Sequence, residues 1–136
     1  MRDCNIQNMT KLVEALESGE YDQGKARLRT RSPNGDQFCC LGVATDLAVK
    51  EGVGSWESEP TSRVNRDRID YIRPDGSREG CGLTLEVCAW LGVRDDIDDL
   101  TLQEDETAIG MNDTGRSFAE IAAEIRKTYL PEGTAE

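Results

Sequence analysis

Hydrophobic residues recur every three or four positions in two segments of the chain, which is the spacing of an amphipathic helix. In the first segment they are Ile6, Met9, Leu12, Val13 and Leu16. In the second they are Phe118, Ile121, Ala122, Ile125 and Tyr129. Gly19 suits the left-handed residue that ends a helix, and Ser117 with Glu120 has capping-box spacing. Both segments are predicted to be helices that bury one face.

Two shorter helices are predicted between them. One begins at Cys39 or Cys40 and continues until Gly52, because four small or apolar residues share one helical face. These are Leu41, Ala44, Leu47 and Ala48. The other is "LEVCAWLG", with Thr84 as its N-cap and Gly92 as its end.

Alternation with a period of two predicts a half-buried strand in "KARLRTR". Lys25, Arg27, Arg29 and Arg31 would then share one face of that strand. "SPNGD" is a turn that leads into either a hairpin or a sharp strand-to-helix corner. "RIDYIRPDGSREG" predicts a short strand and a Pro-Asp-Gly turn, with a return strand left open. The expected fold is α+β, with about four helices packed around one or two small antiparallel β-hairpins. It forms a single globular domain over residues 1–130, with a disordered C-terminal tail at 131–136.

The charge balance restricts the partners. The chain has 27 acidic and 16 basic residues, a net charge of −11, which argues against direct binding to a nucleic-acid backbone. No apolar run approaches the ~18 residues of a membrane span, and the N-terminus lacks a signal-peptide core. Five cysteines without a C-x-x-C spacing indicate reduced thiols. A cytoplasmic protein without membrane contact is expected.

Histidine is absent from the sequence, which removes Ser-His and Cys-His catalysis and histidine metal ligands together. Any catalysis would have to use carboxylates, Lys, Tyr or a self-activated Cys. A binding protein is therefore favoured over an enzyme, with no catalytic residue, cofactor or metal assigned.

The adjacent Cys39 and Cys40 have two interpretations. At a helix N-terminus beside arginines, one thiol could become a nucleophile. The favoured alternative is that they are small buried hydrophobes at a crowded corner, where Gly42 lets another backbone approach. A zinc site with Cys81 and Cys88 does not fit the usual knuckle spacing.

The four cations of "KARLRTR" also have two interpretations. Nearby carboxylates could neutralise them. Alternatively, their guanidinium groups and the following helix N-terminus would form a site for a small anionic ligand. Such a ligand responds mainly to local charges, whereas a polymer would meet the overall negative charge.

Three further features have competing interpretations. The run from Asp95 to Glu106 lacks EF-hand spacing and is expected to be a solvated loop. Asn112 and Asp113 either build a turn, which is favoured, or point at a ligand. Trp56 either stacks on a base or covers a small core.

Four segments carry a resemblance to a known family. They are "ALESGEYDQG…RLR", "FCCLGVATDLA", "LEVCAWLGV" and "MNDTGRSFAEIA", in this order between Ala15 and Ile125. The pattern resembles a family of small, mostly uncharacterised proteins of bacteriophages and prophages. The chain departs from it at Ala44-Thr45, where Leu-Cys is common, at Thr84, where Pro is common, and at Met111, where Leu is common. The resemblance transfers no catalytic residue.

A phage origin implies an inhibitor of host defence, acting in the cytoplasm of the infected bacterium. The leading expectation is a sponge that sequesters a small anionic, nucleotide-like immune signal, with a homo-oligomer left open. The candidate ligand-binding residues are Tyr21, Gln23, Lys25, Arg27, Arg29, Cys40, Trp56, Asn112 and Asp113. The alternatives are an acidic decoy that binds a defence or DNA-handling enzyme, and a carboxylate-dependent hydrolase.

Overall fold

The computed structural model describes residues 4–24, 27–31, 35–58, 68–80, 82–93 and 107–130. This part of the chain contains five helices and six strands, so the predicted α+β class is confirmed. In chain order they are α1 (Ile6–Ser18), β1 (Asp22–Gln23), β2 (Arg29–Thr30), β3 (Gln37–Phe38), α2 (Cys40–Lys50), β4 (Ser55–Ser58), β5 (Arg68–Ile72), β6 (Arg78–Glu79), α3 (Leu85–Leu91), α4 (Ala108–Asp113) and α5 (Phe118–Tyr129).

The six strands form one mixed sheet in the order β1-β3-β2-β5-β4, with β6 paired to β5. A strand after "SPNGD" and a return strand after the Pro-Asp-Gly turn, both left open by the sequence, are present in the structure. The resulting pairs, β2–β3 and β5–β6, are antiparallel. They belong to a single sheet because β2 also pairs with β5. β1 adds a short parallel pair to β3, which no local pattern in the sequence indicated.

The predicted ends of the two amphipathic helices are confirmed. Gly19 ends α1 in the left-handed conformation, with a φ of 79°. At the start of α5, the Ser117 hydroxyl accepts from the Glu120 N–H, and the Glu120 carboxylate accepts from the Ser117 N–H. Each apolar residue predicted to face the core from α5 is buried. An ion pair of 2.8 Å between Arg126 and Glu17 joins α5 to α1.

Helix α2 begins immediately after Cys39, at a corner where two backbones meet closely. A Cβ added at Gly42 would lie 1.7 Å from the carbonyl oxygen of Leu28, so only glycine allows this approach. Cys39 and Cys40 are buried beside it. The expectation of small buried residues at a crowded corner is confirmed.

Helix α4 was not predicted, because the sequence favoured a turn at Asn112 and Asp113. Thr107 caps this six-residue helix by accepting from the N–H of Gly110, and the two predicted turn residues form its last turn. A helix this short shows less than two turns of periodicity, so its hydrophobic pattern is too brief to detect.

All the buried apolar side chains of the described residues except Ile69 form one cluster, which includes residues of all five helices and of β3 and β5. Its largest fully buried members include Tyr71, Tyr129, Met9, Leu12, Leu28 and Leu41. None of the helices in the described ranges is long and apolar enough to cross a membrane. The predictions for Lys25, Cys81, the acidic run and the C-terminal tail fall outside the described residues.

Candidate functional site

The structure brings six of the predicted site residues into two groups. Tyr21, Arg29 and Trp56 meet with four residues that were not predicted, and we call this set the Arg29 cluster. Its members are Tyr21, Arg29, Asp36, Phe38, Asp46, Lys50 and Trp56. Gln23, Cys40 and Asn112 meet in a separate set of hydrogen bonds, which we call the Asn112 network.

Strand register explains why Arg29 lies among aromatic rings. Arg29 is directly opposite Phe38 on β3 and Ile69 on β5, and Trp56 is opposite Tyr71. Residues directly opposite each other share a sheet face, as do residues two apart on one strand. The Arg29 guanidinium carbon is accordingly 5.0 Å from the Phe38 ring centroid and 5.3 Å from that of Trp56, which are cation–π distances.

This placement corrects the predicted cationic strand face. β2 covers only Arg29–Thr30, and Arg29 is on the side of the aromatic rings rather than in a row of solvent-facing cations. Arg27 is half-buried and Arg31 is exposed, and neither forms an ion pair with any residue in the described ranges.

Asp36 is the main ion-pair partner of Arg29. Its Oδ2 accepts from Nε at 2.8 Å and lies 2.7 Å from Nη2. Nη1 of Arg29 is 4.0 Å from Oδ1 of Asp46, which is too long for a hydrogen bond. The side chains of Arg29 and Asp36 are 25% and 24% exposed, so the pair is accessible from solvent.

Asp46 organises the other half of the Arg29 cluster. Its Oδ2 accepts from the Tyr21 hydroxyl at 2.6 Å and lies 3.4 Å from Nζ of Lys50, and its Oδ1 accepts from Nε1 of Trp56 at 2.9 Å. Burial and the Asp46 carboxylate raise the pKa of Tyr21, which stays a neutral hydrogen-bond donor. The hydrogen bond to the Tyr21 hydroxyl raises the pKa of Lys50.

The Asn112 network supplies a hydrogen-bond acceptor for the first backbone N–H group of α2. Asn112 is fully buried, and its Oδ1 accepts from the backbone N–H of Cys40 at 3.1 Å and from Nε2 of Gln23 at 3.2 Å. Its Nδ2 donates to the carbonyl of Gly24 at 2.7 Å. All these contacts are internal, so Asn112 holds β1 and α2 together. Asp113, by contrast, is exposed at the end of α4.

Gln23 extends this network to the start of α5. Its Nε2 donates to the carbonyl of Arg116 at 2.6 Å, and its Oε1 accepts from the backbone N–H of Phe118 at 3.0 Å. The amide side chain therefore uses both of its ends on backbone groups near a helix start. Gln23 positions β1, the strand that directly follows Tyr21.

The chemistry of Cys40 differs from that of a reactive thiol. Burial, followed by the neighbouring Cys39, raises the pKa of Cys40 well above its ordinary value, which keeps the thiol protonated. Cys4, Cys39, Cys40 and Cys88 form no disulfide. In the described part of the chain, no group of three or more Cys, Asp or Glu side chains is arranged to hold a metal ion.

A cavity of about 270 Å³ lies beside α4 and is lined by Thr107, Gly110, Met111, Thr114 and Arg116. Arg116 pairs with Glu120 at 3.1 Å. Arg116 was not among the predicted site residues, because α4 itself was not predicted.

Asp36, Phe38, Asp46 and Lys50 were also missed as members of the Arg29 cluster. One local pattern could have indicated two of them, since Asp46 and Lys50 are four residues apart on a predicted helix. The pairing of Arg29 with Asp36 depends on strand register, which the sequence does not display.

A family model described as DUF8296, a domain of unknown function, matches residues 5–129. The chain belongs to this family. The DUF8296 range begins at the N-cap of α1 and ends at the last residue of α5, so it includes every described element and both residue groups. No curated protein and no solved structure matches the chain. The four motifs that resemble phage and prophage proteins lie inside the DUF8296 range, and the phage origin stays a prediction.

Proposed function

We propose that the protein is a non-enzymatic binding protein, and that the Arg29 cluster is its surface for a small anionic, nucleotide-like ligand. The supporting observation is that half-buried Tyr21 and Trp56 lie beside two cations, Arg29 and Lys50. Aromatic side chains stack on bases, each contributing about 1–3 kcal/mol, while cations attract phosphate. The combination suits a ligand that carries both a base and a phosphate.

Local charge also supports a small ligand over a polymer. Within the Arg29 cluster two carboxylates balance two cations, and Arg27 nearby in sequence has no ion pair with a described residue. The chain as a whole has a net charge of −11. Because charges more than about 8 Å apart are largely screened at physiological salt, a small ligand would respond mainly to the cluster.

Two features favour binding over turnover. The sequence has no histidine for a nucleophile–base pair, and the Cys40 thiol is buried and held protonated. The resemblance to phage and prophage proteins adds the biological setting. In this proposal the ligand is a nucleotide signal of host immunity, sequestered in the cytoplasm of an infected bacterium by a monomer or homo-oligomer.

Charge reversal at Lys50 tests the proposal. Lys50→Glu removes the most exposed cation of the Arg29 cluster and should weaken the binding of a nucleotide by about tenfold or more. Lys127→Glu is the matched control, because both lysine side chains are 65% exposed and both pair with a helical carboxylate nearby. Native mass spectrometry of the purified protein, followed by calorimetry with a panel of mononucleotides and cyclic oligonucleotides, measures the effect.

A retained ligand that is released intact by heat would support sequestration, whereas conversion of the ligand would indicate a hydrolase. Equal losses in Lys50→Glu and Lys127→Glu would show that overall charge, not the Arg29 cluster, determines binding. Failure of every nucleotide in the panel to bind the wild type would contradict the proposed ligand class.

A decoy for a basic protein surface is the second candidate, and one sequence feature favours it. Residues 94–106 contain seven acidic residues and a single arginine. Replacing Asp95, Asp96, Asp98 and Asp99 by Asn should then abolish co-purification of a host protein, and Lys50→Glu should leave it unchanged. Loss of nucleotide binding in Lys50→Glu alone would favour the first candidate.

A further inference from the structure

We propose that Asp36 occupies the position on Arg29 that the anionic group of a ligand would take. In this inference, which rests on the proposed function, a phosphate or similar oxyanion displaces Asp36 and binds the guanidinium group. Asp36 is then an internal competitor that sets how tightly the Arg29 cluster holds an anion.

Arg29 is held in two different ways. The Phe38 and Trp56 rings contact the guanidinium group at cation–π distances, which leaves its N–H groups available. Asp36 instead uses Nε and Nη2, which form one edge of the guanidinium group. That edge is one of the two that can bind a phosphate or carboxylate with two parallel hydrogen bonds. The rings would therefore keep Arg29 in place while one anion replaces another.

Asp36 is suited to leave this position. Arg29 is its only hydrogen-bonding or ion-pairing partner among the described residues, and its side chain is partly exposed. The release of Asp36 would not leave Arg29 unpaired, because the incoming anion takes over the pairing of the guanidinium group. Asp36 also lies between Gly35 and β3, outside any helix or strand.

Asp46, the other carboxylate of the cluster, is different. Its residue is only 8% exposed, and its oxygens accept from Tyr21 and Trp56 and lie near Lys50 and Arg29. It therefore stays in place when Asp36 is displaced. The remaining charges are those of Arg29, Lys50 and Asp46, which leaves one uncompensated positive charge for an incoming anion.

Two substitutions of Asp36 test the inference with inorganic phosphate as the probe. Asp36→Asn and Asp36→Ala should each lower the dissociation constant for phosphate by about tenfold relative to the wild type, measured by calorimetry at low salt. The double variant Asp36→Asn with Arg29→Gln should lose this gain. Thermal unfolding of each variant confirms that it is folded, and the use of two substitutions guards against a local defect in one.

Glu17→Ala is the matched control. Glu17 binds the corresponding edge of Arg126, with Nε at 3.1 Å and Nη2 at 2.8 Å, but no aromatic ring contacts that guanidinium group in the described part of the chain. Freeing Arg126 should produce no comparable phosphate site. Equal gains in Glu17→Ala and Asp36→Asn would overturn the inference, and so would a wild-type dissociation constant in both Asp36 variants.

The outcomes separate this inference from the proposed function. If the wild type binds no nucleotide but the Asp36 variants gain phosphate affinity, the anion position is supported and the ligand class fails. If the wild type binds a nucleotide and the Asp36 variants gain nothing, the proposed function stands and the role of Asp36 is refuted.

Discussion

Gly42 in α2 lies against the backbone of Leu28, the residue that precedes β2 by one position. The carbonyl oxygen of Leu28 occupies the space where any other residue would place its Cβ, at a separation of 1.7 Å. Since Arg29 follows Leu28 directly, the same contact brings the start of β2 close to α2, which carries Asp46 and Lys50. A side chain of a single hydrogen atom is thus required for this close approach of the two backbones.

Gly42→Ala should lower the free energy of unfolding by about 2–3 kcal/mol or more, because the added methyl group forces the two backbones apart. Urea unfolding followed by circular dichroism measures the loss. Gly110→Ala in α4 is the control, since its Cβ would meet only the side-chain hydroxyl of Thr107, at 2.9 Å. An equal loss in both variants would mean that the Leu28 contact is not the cause.

At the start of α5, three backbone N–H groups donate to side-chain acceptors. Ser117 and Glu120 satisfy each other's backbone N–H groups, and Gln23 accepts from the N–H of Phe118. These bonds satisfy N–H groups that a helix start otherwise leaves to water. The last strand-forming residue of β1 is thereby connected to α5, far away in the sequence.

Ser117→Ala should lower the free energy of unfolding by about 1 kcal/mol, the usual effect of removing an N-cap hydroxyl. Ser55→Ala on β4 serves as the comparison, because no hydrogen bond from its side chain is found among the described residues. Urea unfolding of both variants against the wild type provides the measurement. The capping interpretation fails if the two serine variants are equally stable.

The elements differ in how far the sequence could predict them. Helices α1 and α5 follow from periodicity and from local capping residues, which are adjacent in the chain. The parallel pairing of β1 with β3 and the joining of two hairpins through β2 and β5 depend on contacts between distant residues. Helix α4 lies between these cases, since Thr107 is a normal N-cap but the helix is too short to show a period.

The residues of the candidate site were also only partly predictable from the sequence. Tyr21, Arg29 and Trp56 could be selected because aromatic and cationic residues suit a nucleotide. Their partners Asp36 and Asp46 could not, because the strand register and the packing of α2 on the sheet decide which carboxylate meets which cation. Burial also decides the state of Cys40, and the sequence alone left that open.

Across the chain as a whole, ion pairs join elements that are distant in sequence. The side-chain hydrogen bond from Arg126 lowers the pKa of Glu17, which connects α5 with α1. The side-chain hydrogen bond from Arg73 lowers the pKa of Glu86, which connects the β5–β6 hairpin with α3. Both carboxyl groups are therefore more acidic in the folded protein than the ordinary glutamate value of 4.5.

The sign of the pH effect follows from these shifts. A carboxyl with a lowered folded pKa stabilises the protein fully above its unfolded pKa, and this contribution is lost as the pH falls through the folded pKa. The free energy of unfolding should thus decrease as the pH is lowered below about 4.5, and Glu86→Gln should make that decrease shallower. Arg73→Gln should have the same effect, and the double variant should add nothing further.

Urea unfolding at a series of pH values measures this slope for the wild type and the three variants. A double variant whose slope equals the sum of the two single effects would show that Glu86 and Arg73 act independently.

The indole of Trp56, bound to Asp46 at 2.9 Å, gives the protein a built-in fluorophore at the Arg29 cluster. The chain has two tryptophans, and the other, Trp90, donates to Glu51 at 3.0 Å in a different part of the surface. Emission from a Trp90→Phe variant would therefore come from the cluster alone, and quenching would report its occupancy. The complementary Trp56→Phe variant would emit from the α2–α3 contact, so one spectrometer could distinguish ligand arrival from loss of tertiary structure.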